Sequence, residues 1–175
     1  KQLRSNIALV PQEGYLFTET LSENIKYGNP EASIEKVRDS AYEARMTDDI
    51  KGFPDGLKTL VGERGITLSG GQRQRTALSR AFLVDSKIIV LDDALASVDN
   101  KTASAILKTI KEQYNKTVIM ISHQLSAAAS CDRILVMNNG KIVQEGTHQA
   151  LISINGLYKS MWEREKANEQ LQSDD

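Results

Sequence analysis

The sequence predicts an α/β fold in which a mostly parallel sheet carries flanking helices and is joined to a mainly helical segment. Three observations lead to this prediction. Short runs of apolar, β-branched residues have the length of strands that are buried on both faces. Segments with apolar residues at helical spacing alternate with these runs, and such alternation favours parallel pairing. The 175 residues are 40% hydrophobic and 26% charged, which is ordinary for a globular domain.

The first half of the chain predicts one strand followed by helices. Residues 6–10 form a short apolar run that ends at Pro11, as expected for a buried strand. Thr20 and Glu23 have the spacing of a capping box, so we expect a helix to begin there. Residues from about 20 to 80 are therefore expected to be mainly helical.

The second half predicts strands that alternate with helices. The apolar runs at residues 87–91 and 117–122 are typical of buried strands. Between them, apolar side chains from Ala103 to Tyr114 recur at helical spacing. A hairpin signal then joins two further predicted strands, at residues 133–137, Asn139-Gly140 and 141–145.

We expect residues 1–175 to form a single incomplete domain. Residues 1–19 and about 85–160 would build its core sheet, whereas the polar segment 163–175 is expected to fray. The chain begins with Lys1 rather than with methionine, which indicates a fragment or a processed form.

The charge balance argues against nucleic-acid binding. The 22 basic and 23 acidic residues leave a formal net charge of -1, whereas proteins that bind nucleic acid usually carry a basic excess. Cys131 is the single cysteine, so no internal disulfide can form. The apolar runs are much shorter than the roughly 20 residues of a membrane span, and no signal peptide is recognisable.

The segment Leu68-Ser69-Gly70-Gly71-Gln72 carries the sharpest functional signal. Ser69 and Gln72 have the spacing of a capping box at the start of a helix. The glycines between them allow a foreign group to approach the backbone, and the N–H groups at a helix N-terminus attract an anion such as phosphate. The alternative is a plain capped helix whose glycines only serve a turn.

Asp92 and Asp93 directly follow an apolar strand run. In open α/β sheets, ligands bind beyond the carboxyl ends of the strands. Asp92 is therefore a candidate to hold Mg²⁺ through water, and Asp93 to orient or deprotonate a water molecule. Alternatively, the two carboxylates are only the polar end of a strand.

Three further polar residues lie near predicted strand ends. Gln12 comes after the first strand, and its amide can bridge Mg²⁺ and water. His123 follows a strand at the same predicted sheet edge as Asp92, where it can donate a hydrogen bond to a terminal phosphate, although a lone histidine is more often structural. Asp99 is a good N-cap for the next helix, and capping alone can account for it.

Taken in order, these residues resemble the nucleotide-binding domain of ABC transporters. Gln12 matches the Q-loop glutamine of that family, and residues 68–72 match its signature motif. Residues 88–92 match the Walker B strand, with Asp93 in the place of the catalytic carboxylate. The resemblance implies a partial RecA-like P-loop NTPase core with a helical subdomain.

Residues 96–99 and His123 match the family's D-loop and switch histidine. Shorter stretches, such as Val10-Pro11-Gln12-Glu13, resemble the exporter type. In exporters, the segments that match residues 15–17 and 63–65 contact the membrane domains.

The resemblance implies an ATP-hydrolysing domain that drives export, with ATP and Mg²⁺ as cofactors. Asp92 and Gln12 would hold Mg²⁺, while Asp93, His123 and Gln12 would act in hydrolysis. The implied location is the cytoplasmic face of the cell membrane, in contact with transmembrane domains of the same transporter.

A second nucleotide-binding domain is also implied as a partner. In the family two such domains pair head to tail, and each ATP lies between the Walker residues of one domain and the signature of the other. The residues that would contact the ATP of the partner domain are Ser69, Gly70, Gly71, Gln72 and Asp99.

Two features depart from the family pattern. The phosphate-binding loop G-x-x-x-x-G-K-[ST] is absent from the 175 residues. Because this loop precedes the Q-loop in the family, we expect it upstream of Lys1 and expect the chain to be inactive alone. Asp93 stands where the family usually has Glu, so its carboxylate is displaced by roughly 1 Å, and such a displacement can lower a rate by about 10²-fold.

A short carboxylate beside an intact signature resembles the degenerate-site half of a heterodimeric bacterial multidrug or lipid exporter. A homodimeric exporter in which Asp93 catalyses adequately is the alternative. Soluble ABC-type ATPases of DNA repair or translation share the motifs, but they often insert long coiled coils or basic arms between them. A non-catalytic, signature-bearing interaction module would follow if no phosphate loop precedes Lys1.

Overall fold

The computed structural model describes residues 3–113 and 116–173. The chain divides into two compact units, Lys1–Ile121 and Ser122–Asp175. The first unit contains a parallel sheet with helices, and the second contains a β-hairpin with helices.

Strands and helices alternate in the first unit in the order that the apolar periodicity predicts. Its described strands are β1 (Ile7–Val10), β2 (Ile88–Asp92) and β3 (Thr117–Ile121). Its described helices are α1 (Leu21–Lys26), α2 (Ile34–Glu43), α3 (Thr47–Gly52), α4 (Gly70–Leu83) and α5 (Asn100–Gln113). Short 3₁₀ turns lie at Arg4–Asn6, Gly56–Lys58 and Glu63–Gly65. The regular elements from α1 to α4 are therefore helical, as predicted.

The strands of the first unit form a parallel sheet in the order β1-β2-β3. Val10 pairs with Leu91, and Leu91 pairs with Met120, so the carboxyl ends of the strands meet at one edge. The predicted parallel sheet is thus confirmed for these strands. The first strand begins one residue later than expected, because Asn6 belongs to the preceding 3₁₀ turn.

Side-chain alternation gives this sheet one deeply buried face. Val10, Ile89 and Leu91 are at most 1% exposed, whereas Leu9 is 59% and Ile121 is 51% exposed on the opposite face. The buried face joins one apolar core with residues of the surrounding helices, which include Ile25, Val37, Leu78, Ile106 and Ile110. The helices of this unit therefore pack mainly against one face of the sheet.

The second unit is built around an antiparallel hairpin of β4 (Ile134–Asn138) and β5 (Lys141–Gly146). Its turn residues Asn139 and Gly140 have φ values of 49° and 74°, as a two-residue type I′ turn requires. The other described elements are α6 (Leu125–Ala128), α7 (His148–Ser153) and α8 (Leu157–Ser173). The hairpin forms a two-stranded sheet of its own. The expectation that residues up to about 160 contribute to the core sheet stays a prediction.

Helices α5 and α8 bear on two expectations from the sequence. Burial of Ala103, Ile106 and Ile110 confirms the predicted apolar face of α5, while Tyr114 lies outside the described residues. Helix α8 continues through residues 163–173, so this polar segment is helical there, and whether it frays stays a prediction. The segment is rich in Glu, Lys and Gln, which are good helix formers. Of the helices in the described ranges, none has both the length and the apolar character needed to cross a bilayer.

A close approach between α1 and α4 provides a test of the packing. A Cβ at Gly28 would overlap the carbonyl oxygen of Arg80 and lie 3.1 Å from a methyl group of Val84. We expect Gly28→Ala to lower the free energy of unfolding by about 1–3 kcal/mol, because an overpacked contact forces the backbone to shift. Urea unfolding followed by circular dichroism measures this change.

Gly52→Ala is the matched control, since a Cβ at Gly52 meets nothing within 4 Å. Alanine also favours the helical conformation that Gly52 adopts in α3, so this variant should be neutral or slightly stabilising. Equal destabilisation by both substitutions would contradict the packing of α1 on α4.

Candidate functional site

The carboxyl ends of β1 and β2 bring Gln12 and the paired aspartates together. Asp92 is the last residue of β2, and Gln12 lies two residues beyond the end of β1. The side-chain amide of Gln12 donates a hydrogen bond to Asp93 Oδ2 at 3.4 Å, between groups exposed to solvent. Two candidate residues, 81 positions apart in the chain, are therefore within contact distance at the predicted sheet edge.

Asp93 has an unusual backbone conformation, with a φ of 48°. Its N–H donates a hydrogen bond to the carbonyl oxygen of Ile121 at 2.9 Å, which ties it to the end of β3. Asp and Asn adopt this left-handed region more readily than other non-glycine residues. The short side chain of Asp93 is therefore well suited to this turn, for a reason that is independent of catalysis.

The acidic edge suits Mg²⁺ bound together with another ligand rather than a closed metal cage. Among the described residues, no group of three or more His, Cys, Asp or Glu side chains is arranged to hold a metal. Mg²⁺ typically uses one or two protein carboxylates and takes its other ligands from water and phosphate. Asp92 and Asp93, both half-buried, and the amide of Gln12 fit that pattern.

Ser69 caps α4 as predicted. Its hydroxyl accepts a hydrogen bond from the N–H of Gln72 at 3.2 Å, and Gln72 Oε1 accepts one from the N–H of Ser69 at 2.9 Å. The capping box is therefore complete. In such a cap the first N–H groups of the helix still point along its axis without partners from the helix itself.

Gly70 and Gly71 allow another segment of the same chain to approach α4. A Cβ at Gly71 would lie 2.8 Å from the carbonyl oxygen of Ser97, and one at Gly70 would lie 3.2 Å from Ser97 Cβ. The sequence predicted that the glycines admit a foreign group to the backbone. The structure shows that at least one side of this turn is packed against Ser97.

A clamp on the first turns of α4 was not predicted from the sequence. Asp49 of α3 accepts a hydrogen bond from Gln72 Nε2 at 2.9 Å and another from Arg75 Nη2 at 2.7 Å. The side chains of Arg75 and Asp49 are only 12% and 19% exposed. Each carboxylate oxygen thus holds one residue of α4, and both amide atoms of Gln72 are engaged within the chain. The only local signal is the spacing of Gln72 and Arg75 on one helix face.

Asp99 acts as the N-cap of α5, as expected. Its Oδ1 accepts a hydrogen bond from the N–H of Thr102 at 2.9 Å. Hydrogen bonds from Thr102 lower the pKa of Asp99 below its usual value, because they favour the ionised carboxylate. Capping is confirmed, whereas the contact with a partner's ATP stays a prediction.

His123 belongs to the second unit, in the connection that leads to α6. Its side chain is exposed. The neighbouring Ser122 hydroxyl accepts a hydrogen bond from the N–H of Gln124 at 3.0 Å, which shapes this connection. The predicted place of His123 beside Asp92 stays a prediction.

Arg80 of α4 ties down the segment that follows Gln12. Its guanidinium donates to the carbonyl oxygens of Tyr15 at 3.0 Å and Asn24 at 2.9 Å. It also lies over the rings of Phe17 and Tyr27, at 5.8 and 5.3 Å from their centroids. Burial lowers the pKa of Arg80 from its usual value. Residues 15–17 are thereby anchored to α4, although the Tyr15 side chain remains 54% exposed.

A cleft of about 530 Å³ opens between these elements. It is lined by Gln12, Glu13, Gly14, Tyr15, Arg64, Gly70, Arg73, Gln74 and Ser97. The turn after β1, the start of α4 and the turn before α5 therefore share one cavity in the first unit.

Comparison with known proteins identifies the family. The family model described as ABC transporter matches residues 1–96, which is more than half of the chain. The chain belongs to the ABC transporter family. The match includes the segments that carry Gln12, the Ser69 turn and the paired aspartates, so the resemblance inferred from these residues is confirmed at the level of the family.

Curated ABC proteins are similar over almost the whole chain. The ABC transporter B family member 24, mitochondrial, of Arabidopsis thaliana is 45% identical over 168 residues, which are 95% of this chain and 25% of that protein. The probable multidrug resistance ABC transporter ATP-binding/permease protein YheI of Bacillus subtilis is 44% identical over 94% of this chain and 28% of its own length. The chain thus spans about a quarter of the length of these relatives.

A solved ABC exporter has the same fold. The structure of a bacterial Atm1-family ABC exporter with ATP bound matches 93% of this chain and 29% of its own chain, with a TM-score of 0.89 at 39% sequence identity. This similarity confirms the α/β fold with a parallel sheet and flanking helices as that of an ABC exporter nucleotide-binding domain.

The clamp on the ABC signature turn provides a stability test. We expect Asp49→Ala to lower the free energy of unfolding by about 1–3 kcal/mol, because Arg75 and Gln72 would lose their partner in a largely buried position. Chemical denaturation of the variant and the unchanged chain measures the difference.

Asp48→Ala is the control for loss of a neighbouring carboxylate. The side chain of Asp48 is 97% exposed and contacts Lys51 at 3.5 Å, so its removal should change stability by less than about 0.5 kcal/mol. The clamp is refuted if Asp49→Ala is no more destabilising than Asp48→Ala.

Proposed function

We propose that this chain forms part of the ATP-hydrolysing domain of an ABC exporter. The observation that carries the proposal is the contact of Gln12 with Asp93 at the sheet edge, in an ABC chain whose α4 begins with a capped glycine turn. These two features are the chain's contributions to two different ATP sites. The full capping box at Ser69 supports the second contribution, because it orders the turn before any ligand binds.

The first contribution is to the site that would contain this chain's own carboxylates. Asp92 and Gln12 would hold Mg²⁺, which neutralises charge on the phosphates of ATP. Asp93 would orient or deprotonate the attacking water, and His123 would donate a hydrogen bond to the terminal phosphate. The 175 residues contain no G-x-x-x-x-G-K-[ST] loop, and a phosphate cradle is therefore not part of this contribution.

The second contribution is to an ATP held by another nucleotide-binding domain in a head-to-tail pair. The N–H groups at the start of α4 and the hydroxyl of Ser69 would face the phosphates of that ATP. Gly70 and Gly71 would let the turn before α5 pack closely against the start of α4, since a Cβ at either position would crowd Ser97. Gln72 would mainly hold the turn, because its amide is bonded to Ser69 and Asp49, and Asp99 would complete the partner site from the start of α5.

Asp93 would make the chain's own site the weaker of the pair. Its carboxylate is one methylene shorter than the usual Glu, and a displacement of about 1 Å can cost about 10²-fold in rate. The intact signature turn would then serve the stronger site of a different partner domain. We therefore favour a heterodimeric exporter over a homodimer.

Contact with transmembrane domains is the last part of the proposal. In exporters, the segments that match residues 15–17 and 63–65 contact the membrane domains. Tyr15, within the first segment, is 54% exposed, and Ile66, directly after the second, is 79% exposed. Arg80 anchors residues 15–17 to α4. A displacement of this segment by the membrane domains would therefore be transmitted to α4. The domain would accordingly lie at the cytoplasmic face of the membrane.

The test is a pair of substitutions in the assembled transporter that contains this chain. We expect Ser69→Ala to lower ATP turnover by about 10-fold or more, because it disturbs the N–H groups at the start of α4 that would face the phosphates in the stronger ATP site. We expect Asp93→Ala to leave most of the turnover intact. Steady-state ATPase assays on purified transporter in lipid measure both.

Ser33→Ala controls for the loss of a helix cap alone. Ser33 caps α2 by accepting a hydrogen bond from the N–H of Lys36 at 3.4 Å, away from the proposed sites. This variant should retain near-normal turnover. If Asp93→Ala abolishes turnover while Ser69→Ala leaves it intact, the assignment of the two sites is wrong.

A further inference from the structure

Gln74 is a buried polar residue of α4 that the proposed chemistry does not use. It is 7% exposed and lies five positions beyond the Ser69 cap. A buried amide is costly unless its polar atoms find hydrogen-bond partners. Gln74 finds them in two loops that are distant from each other in sequence.

Both ends of the Gln74 amide contact backbone groups. Its Oε1 accepts a hydrogen bond from the N–H of Ser97 at 2.8 Å, and its Nε2 donates a longer one to the carbonyl oxygen of Gln12 at 3.4 Å. An N–H can only donate and a carbonyl can only accept, so these partners determine the orientation of the amide. The side chain thus links the turn after β1 to the turn before α5.

The Ser97 turn is also held from the other side. Gly70 and Gly71 leave just enough room for Ser97, since a Cβ at Gly71 would lie 2.8 Å from its carbonyl oxygen. The turn is therefore confined between the start of α4 and the Gln74 amide. Loss of the amide would free one side of this confinement while leaving the glycine contact intact.

We infer that Gln74 is a positioning residue that couples the Gln12 turn to the Ser97 turn through α4. This inference rests on the proposed function, in which Gln12 serves the chain's own ATP site and the start of α4, against which Ser97 packs, serves the partner's site. A displacement at one site would then be passed to the other by a buried side chain rather than by the exposed loops. Gln74 itself contacts no reacting group.

The test compares two substitutions at this position in the intact protein that contains the chain. Gln74→Met keeps an unbranched side chain of similar length but removes both hydrogen bonds. Gln74→Glu keeps an oxygen that can accept from the Ser97 N–H in either protonation state. Ser79→Ala is the control, because Ser79 is a fully buried residue of the same helix and bonds to Arg75 O at 2.9 Å within α4.

Hydrogen exchange of the Ser97 amide is the first readout. We expect exchange in fragments that cover residues 94–99 to become about 10-fold faster in Gln74→Met, because the amide loses its acceptor. In Gln74→Glu and in Ser79→Ala, the exchange rate of these fragments should stay close to that of the unchanged protein. An unchanged rate in Gln74→Met would overturn the inference, as would equally fast exchange in Ser79→Ala.

ATP hydrolysis is the second readout. We expect Gln74→Met to lower kcat by about 10-fold while the KM for ATP stays within about 2-fold, because positioning is lost but nucleotide contacts remain. Gln74→Glu should recover part of kcat. Faster exchange with an unchanged kcat would refute the role in coupling. If the unchanged protein hydrolyses no ATP, the proposed function fails, whereas the exchange comparison still decides whether Gln74 holds the Ser97 turn.

Discussion

The parallel register of β1 and β2 determines where the polar groups of this domain lie. Pairing of Val10 with Leu91 places the ends of both strands side by side, so Gln12 reaches Asp93 although 81 positions separate them in the chain. A shift by one residue would move the apolar face of the strand to the other side of the sheet. The buried side chains of Val10, Ile89 and Leu91 therefore hold the site in place as well as the core.

The second organising element is helix α4, where four kinds of contact converge. Ser69 caps the helix, Asp49 clamps Gln72 and Arg75, Gln74 reaches into two loops, and Arg80 anchors the segment after Gln12. Gln72 and Arg75 are three positions apart and share a helix face, on which Gln72 also contacts Ser69, whereas Gln74 lies off that face. The helix can thus present a glycine turn at one end while remaining rigidly held along its length.

The short side chain of Asp93 has one consequence for the backbone and another for catalysis. Its φ of 48° favours a short polar side chain on backbone grounds, and the same shortness weakens a carboxylate that must reach a water molecule. The backbone preference for a short side chain would exist without any catalysis, and the shorter reach of the carboxylate would exist in any backbone conformation. Both are compatible with a domain that contributes its signature turn more effectively than its own carboxylate.

Features that depend on neighbouring residues follow from the sequence alone. These are the apolar strands, the Ser69 capping box, the Asp99 cap and the Asn139-Gly140 turn, all of which the structure contains. The sequence also pointed to Gln12 and Asp93, because parallel strands end at a common edge. Helix α8 extends through residues 163–173, a segment whose Glu, Lys and Gln residues are good helix formers.

Only the tertiary structure decided which distant side chains meet. Asp49 lies 23 positions from Gln72, Gln74 lies 62 positions from Gln12, and Arg80 lies 65 positions from Tyr15. No local spacing specifies such pairs, because they depend on how α3 and α4 pack against each other and against the sheet. The left-handed backbone of Asp93 arises in the same way, from a turn that also bonds to the end of β3. Periodicity along the chain decides which elements form, whereas packing between them decides which polar groups become partners.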